Sequence, residues 1–248
     1  MVQRRFENAN NPTFDCARGV LLLPFGRRSY LPAIVEAWDG EQVSLDETTD
    51  RIVYRLCGSP IPVTLVYSGM GSPAAANALE MASANGARRV VVFGACGGID
   101  DGVGVGDLIV ATGAIRGEGT SDYYAPPEFP AAFDLELSAR LWQGASDGYE
   151  GTCHRGVVYT TDAGYRQGPE VYDRFEGLIL GVESECAAVA VVGARLGLEV
   201  AALLFCTDNP ALASEADRQY SGLADARVRR AFEAGLAVVI DALARDSG

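Results

Sequence analysis

Three carboxylates stand where two short apolar runs end. Gly181-Val182-Glu183-Ser184-Glu185 leads into a helical pattern, and Phe205-Cys206-Thr207-Asp208-Asn209 closes a strand. Carboxylates at the carboxyl ends of strands in an α/β sheet face the crevice where ligands bind. There they can accept hydrogen bonds from sugar hydroxyls or hold a proton for transfer. An acid in a helix's first turn is also favoured by the macrodipole alone, so Glu183 reads equally as structural or functional. Glu185 and Asp208 together read as functional.

Two glycine-rich strand ends precede them. In Ser68-Gly69-Met70-Gly71-Ser72-Pro73 a strand gives way to a helix, and Gly69-x-Gly71-x-x-Ala74 matches a dinucleotide fingerprint. That fingerprint requires an acid at the end of the next strand, and Phe93-Gly94-Ala95 supplies none. Glycines that simply permit close strand–helix packing are the alternative. The second run, Gly94-Ala95-Cys96-Gly97-Gly98, follows a buried strand and is expected as a turn whose backbone N–H groups can approach a ligand.

Composition removes other chemistries. All 20 basic residues are arginine, which excludes Schiff-base and P-loop lysine mechanisms. His154 is the single histidine, and the six cysteines include no CxxC pair, so no metal site is expected. His154 opens a strand and reads as structural. A net charge of −13 argues against nucleic acid and anionic membranes as partners. No apolar run reaches membrane-span length and no signal peptide precedes the first strand, so a reduced, cytoplasmic setting is expected.

The elements that must position these residues alternate along the chain. Strands are predicted over 20–24, 52–56, 63–67, 90–93, 107–112, 156–161, 179–182 and 200–206. Helices are predicted over 31–38, 74–85, 133–143, 185–196 and 224–244. Strands apolar on both faces, separated by helices, imply a sheet covered on both sides. Residues 1–15, polar and Asn-rich, read as an N-terminal arm, and residues 16–248 as one α/β domain.

With these pieces in order, the chain resembles the hexamer-forming nucleoside phosphorylases. The resemblance is carried by Ser68-Gly69-Met70-Gly71-Ser72-Pro73, Val90-Val91-Val92-Phe93-Gly94-Ala95-Cys96-Gly97-Gly98 and Gly104-Val105-Gly106-Asp107-Leu108. Arg116-Gly117-Glu118-Gly119-Thr120-Ser121, Tyr123-Tyr124-Ala125-Pro126 and Glu128-Phe129-Pro130-Ala131 look like the uridine-phosphorylase branch. Gly181-Val182-Glu183-Ser184-Glu185 is similar to the family's Gly-Val-Glu-Met-Glu, and Thr207-Asp208-Asn209 to its Ser-Asp-Asn or Ser-Asp-His. The likeness runs from about Val20 to the terminal helix.

That resemblance implies an α/β/α sandwich with a mixed central sheet, acting on the glycosidic bond of a nucleoside without a cofactor, with phosphate as co-substrate. Glu185 would bind the ribose 2′- and 3′-hydroxyls, beside Glu183 and Ser184. Asp208 would protonate N7 of a purine. Met70, Cys96 and Gly97 would line the substrate, and Tyr165 would stack on the base or serve the core. Phosphate would fall to Gly26, Arg27, Arg28 and Ala95, with Arg51 reaching a neighbouring subunit of a dimer or hexamer.

The chain departs from the family at several of these places. Val92 stands where an arginine is expected, Ala95 where a hydroxyl is, and Ser184 replaces the Met between the glutamates. Pro169 and Val171 replace the uracil-reading Gln and Arg, which favours a purine. Loss of an arginine fork removes a principal anion anchor. Hydrolysis is therefore the alternative to phosphorolysis, although the hydrolases' N-terminal glutamate has no match. A binding protein without turnover is the third reading.

Overall fold

The computed structural model describes residues 14, 16–25, 28–46, 51–166, 173–220 and 222–245, with the backbone alone for Asp46 and Tyr165. The expected arm, residues 1–15, lies outside these except for Phe14, whose N–H donates to Asn85 Oδ1 at 3.0 Å.

Among the described residues, ten strands form one mixed sheet. They are β1 (Gly19–Leu23), β2 (Gly40–Asp46), β3 (Arg51–Leu56), β4 (Val63–Tyr67) and β5 (Arg89–Gly98). The rest are β6 (Leu108–Gly117), β7 (Ala131–Ala132), β8 (Cys153–Thr161), β9 (Gly181–Glu183) and β10 (Glu199–Asp208). The helices are α1 (Leu31–Ala37), α2 (Ser72–Ala84), α3 (Leu135–Gly148), α4 (Cys186–Leu196) and α5 (Ala226–Ala244).

Period-two alternation on fully buried strands sorts the core into two layers. Leu21, Leu23, Val91, Phe93, Leu203 and Phe205 face α1, α3 and α5. Their neighbours Val20, Leu22, Val90, Val92, Ala202 and Leu204 face α2 and α4. The expected α/β/α sandwich is thus the observed one.

Pairing runs β10-β6-β8-β9-β5-β1-β4-β3-β2, and β10 also pairs with β5. Five strands, β5, β10, β6, β8 and β9, therefore close on themselves. No helix among the described residues is long and apolar enough to cross a membrane.

Two expectations are corrected here. The run Gly94-Ala95-Cys96-Gly97-Gly98 is the second half of β5 and not a turn, with Gly97 opposite Val182 and Gly98 opposite Gly181. Close approach makes this possible: a Cβ on Gly181 would lie 2.7 Å from the Gly97 carbonyl oxygen. The second correction is β2, unforeseen because it is an edge strand, largely open to solvent, whose polar residues mask any apolar alternation.

Candidate active site

Every expected sugar- or base-side residue with a described side chain lines one cavity of about 680 Å³. Its walls include Met70, Cys96, Gly97, Glu183, Ser184, Glu185 and Asp208. β5, β9 and β10 bring their carboxyl ends to it, as expected for an α/β sheet.

Glu183 ends β9 directly below α4. Its Oε2 accepts the N–H groups of Glu185 at 2.6 Å and Cys186 at 2.7 Å, while Oε1 accepts the Thr160 hydroxyl. The same Thr160 oxygen accepts Ala187 N–H at 2.8 Å. The opening N–H groups of the helix are thereby satisfied from the sheet. Glu183 has a structural role as well as a place in the cavity wall.

Glu185, freed from capping, turns elsewhere. Its Oε1 accepts the Gly71 N–H at 2.6 Å, and the Ser72 hydroxyl donates to the Ser184 carbonyl at 2.6 Å. Gly71 has φ +102°, a backbone that side chains rarely adopt, and this aims its N–H across at the carboxylate. The starts of α2 and α4 are thus tied together at the site.

Burial and the nearby Glu183 carboxylate push Glu185 up to about 8, against the opposing pull of the Gly71 and Ser184 N–H groups. Burial also raises Glu183, but the Thr160 hydroxyl and two N–H groups favour its ionised form. Both members of this coupled pair are thus raised, Glu183 against more opposing hydrogen bonds than Glu185.

Asp208 follows a register shift in the β10–β5 ladder and lies opposite Gly97. The Thr207 hydroxyl is 2.7 Å from its Oδ1 and 3.1 Å from the Cys96 carbonyl. Burial raises the Asp208 carboxyl, opposed by the Thr207 hydrogen bond. Asn209 is wholly buried and structural: its amide donates to the carbonyls of Asp100 and Val103 at 2.8 Å each. His154 Nε2 sits 2.8 Å from Asp107 Oδ2, outside the cavity lining.

The anion side is more sparsely furnished. Ala95 lines the cavity, but no arginine does so among the described residues. Arg28 is exposed in the 3-10 turn Arg28–Tyr30. Arg51 is buried in the single chain, with Nη1 3.5 Å from Met81 Sδ. Val92 is fully buried in the layer facing α2 and α4. Gly26 and Arg27, and likewise Pro169 and Val171, lie outside the described residues. Tyr165 falls in the short 3-10 turn Gly164–Arg166, whose Gly164 lines the cavity.

Phe25, Tyr30 and Tyr220 also line the cavity and were not foreseen. Phe25 and Tyr30 pack at 5.0 Å between ring centroids with their planes tilted by 60°. An aromatic pair flanking a suspected anion turn was the one available signal. Tyr220 sits in a stretch without periodicity and gave none.

The family model described as the phosphorylase superfamily matches residues 37–244. A guanosine phosphorylase of Halorubrum lacusprofundi is 36% identical over 146 residues, 58% of this chain and 59% of that one. A uridine phosphorylase of Thermococcus kodakarensis is 36% identical over 152 residues, 61% and 53% of the two chains. The matched stretch thus covers little more than half the length of these relatives. The fold superposes on the purine nucleoside phosphorylase of Toxoplasma gondii in complex with immucillin-H with a TM-score of 0.80, at 18% identity, covering 93% of this chain and 91% of that one. Sequence match over most of the chain and a shared fold lead to one assignment: this protein belongs to the phosphorylase superfamily.

Proposed function

We propose that the protein is a nucleoside phosphorylase that cleaves the N-glycosidic bond of a purine nucleoside with phosphate, giving free base and ribose 1-phosphate. The observation that carries this reading is the placement of Glu185 and Asp208 in one cavity, floored by Cys96 and Gly97. Glu185 hydrogen-bonds the sugar hydroxyls and fixes the ribose. Asp208, whose carboxyl burial shifts toward the protonated form, donates to N7 as the C1′–N9 bond breaks and its electron pair moves into the base. A phosphate oxygen bonds to C1′, and solvent returns the proton to Asp208. No cofactor enters.

The names of the relatives support phosphate rather than water as the acceptor. Phosphate would meet residues 26–28, which in sequence directly follow the cavity residues Pro24 and Phe25. We include in this reading a homo-oligomer, dimer or hexamer, supported by large apolar side chains exposed on the single chain, among them Leu135 at 83% and Leu178 at 67%.

The test is a panel of purine and pyrimidine nucleosides incubated with and without phosphate, following base release. Purine release that requires phosphate is expected. Release without phosphate would make the protein a hydrolase, and release from none would leave a binding protein. Faster release from uridine would overturn the purine assignment.

A further inference from the structure

A second cavity, of about 560 Å³, opens at the opposite end of the sheet. Four arginines line it, Arg18, Arg55, Arg88 and Arg89, against one acid, Glu199. The whole chain carries 33 acids and 20 arginines, so the local balance is the reverse of the general one. Gathering like charges costs stability unless a counter-charge offsets it, and a cationic cavity on an anionic protein concentrates anions.

The cluster is built into the fold. The Arg88 and Arg89 N–H groups both donate to the Arg18 carbonyl at 2.9 Å, locking three of the arginines' backbones together. Arg89 is oriented by Glu199 Oε2 at 2.7 Å and the Arg245 carbonyl at 2.8 Å. That ion pair occupies the only acid among the described residues of the lining. Arg18 and Arg88 are exposed at the cavity. Beside the arginines lie the apolar surfaces of Ile61, Pro62 and Leu243.

We propose that this cavity binds a nucleoside di- or triphosphate. Guanidinium forks match phosphate oxygens bidentately. The apolar surfaces supply a face for a base or sugar, and the volume falls in the range of small-molecule sites, about 300–1,000 Å³. The site is separate from the nucleoside cavity. β5 starts at Arg89 and ends at Gly98, nine residues or about 30 Å further on.

Isothermal titration of the full-length protein with ATP, and in parallel with inorganic pyrophosphate, tests this. ATP is expected to bind, more tightly than pyrophosphate, with affinity falling as salt rises. The double variant Arg18→Ala/Arg88→Ala should weaken ATP at least tenfold without lowering the thermal midpoint and with nucleoside cleavage unchanged. Asp208→Asn should leave ATP binding intact, which separates this site from the catalytic one. Absence of ATP binding, or ATP binding unaltered in the double variant, would overturn the proposal. Pyrophosphate binding as tightly as ATP would overturn the nucleotide assignment in favour of a free polyphosphate.

Discussion

The carboxylate of Glu183 holds the backbone of Glu185, accepting its N–H at 2.6 Å. One glutamate thus places the other, and the two identical side chains have different tasks. Glu183→Ala strips partners from the N–H groups of Glu185 and Cys186 and from the Thr160 hydroxyl. Losing a helix cap costs about 0.5–2 kcal/mol. At the upper end the thermal midpoint should fall by about 4–8 °C. Nucleoside KM should rise with it, because Glu185 loses its support. A KM unchanged alongside a lowered midpoint would leave Glu183 purely structural.

Asp208→Asn keeps the shape and removes the proton. If Asp208 is the general acid, kcat for purine nucleosides should drop by about 10²–10⁴-fold with little change in substrate Kd. Because the active form of Asp208 is protonated, wild-type kcat/KM should fall as pH rises through its upward-shifted pKa. That alkaline limb should vanish in the variant. Steady-state kinetics across pH reads both effects.

Glu185 makes a stability prediction with a definite sign. Its folded-state value of about 8 lies above the ordinary 4.5, so the native state binds this proton more tightly than the unfolded chain. The resulting stabilisation is fully present below pH 4.5 and is lost as pH rises to about 8. The slope cannot exceed about 1.4 kcal/mol per pH unit for one proton. Denaturant melts of wild type and Glu185→Gln should therefore converge at low pH and separate toward pH 8, the variant declining less.

Gly98 underlies Asn209: a Cβ there would lie 2.7 Å from Asn209 Nδ2. Gly98→Ala should displace the amide from the carbonyls of Asp100 and Val103 and cost about 1–3 kcal/mol. Chemical denaturation measures this directly. A neutral result would mean that the β5–β10 junction is looser than its packing indicates.

Much of this was legible in the residues. Helices and buried strands announced themselves because a period of two on both faces of β1, β5 and β10 leaves continuous apolar runs. Glu185 and Asp208 were readable because each ends an apolar run at a chain reversal. The continuation of β5 through Gly97 and Gly98 was hidden, since glycine carries no pattern and the pairing partner, β9, lies over 80 residues away. The contact of the Arg51 guanidinium with Met81 was hidden for a related reason, since the two lie 30 residues apart.

The closure of β5, β10, β6, β8 and β9 on one another has a consequence for which ligands fit. An open sheet can widen a crevice by splaying its last strand, whereas a hoop of paired strands has fixed girth. Admitting a bulkier ligand therefore falls to the segments that rim the opening, those bearing Met70, Gly164 and Tyr220. Change there alters substrate range at little cost to the fold, so selectivity can diversify while the paired strands that carry Glu183 and Asp208 stay as they are.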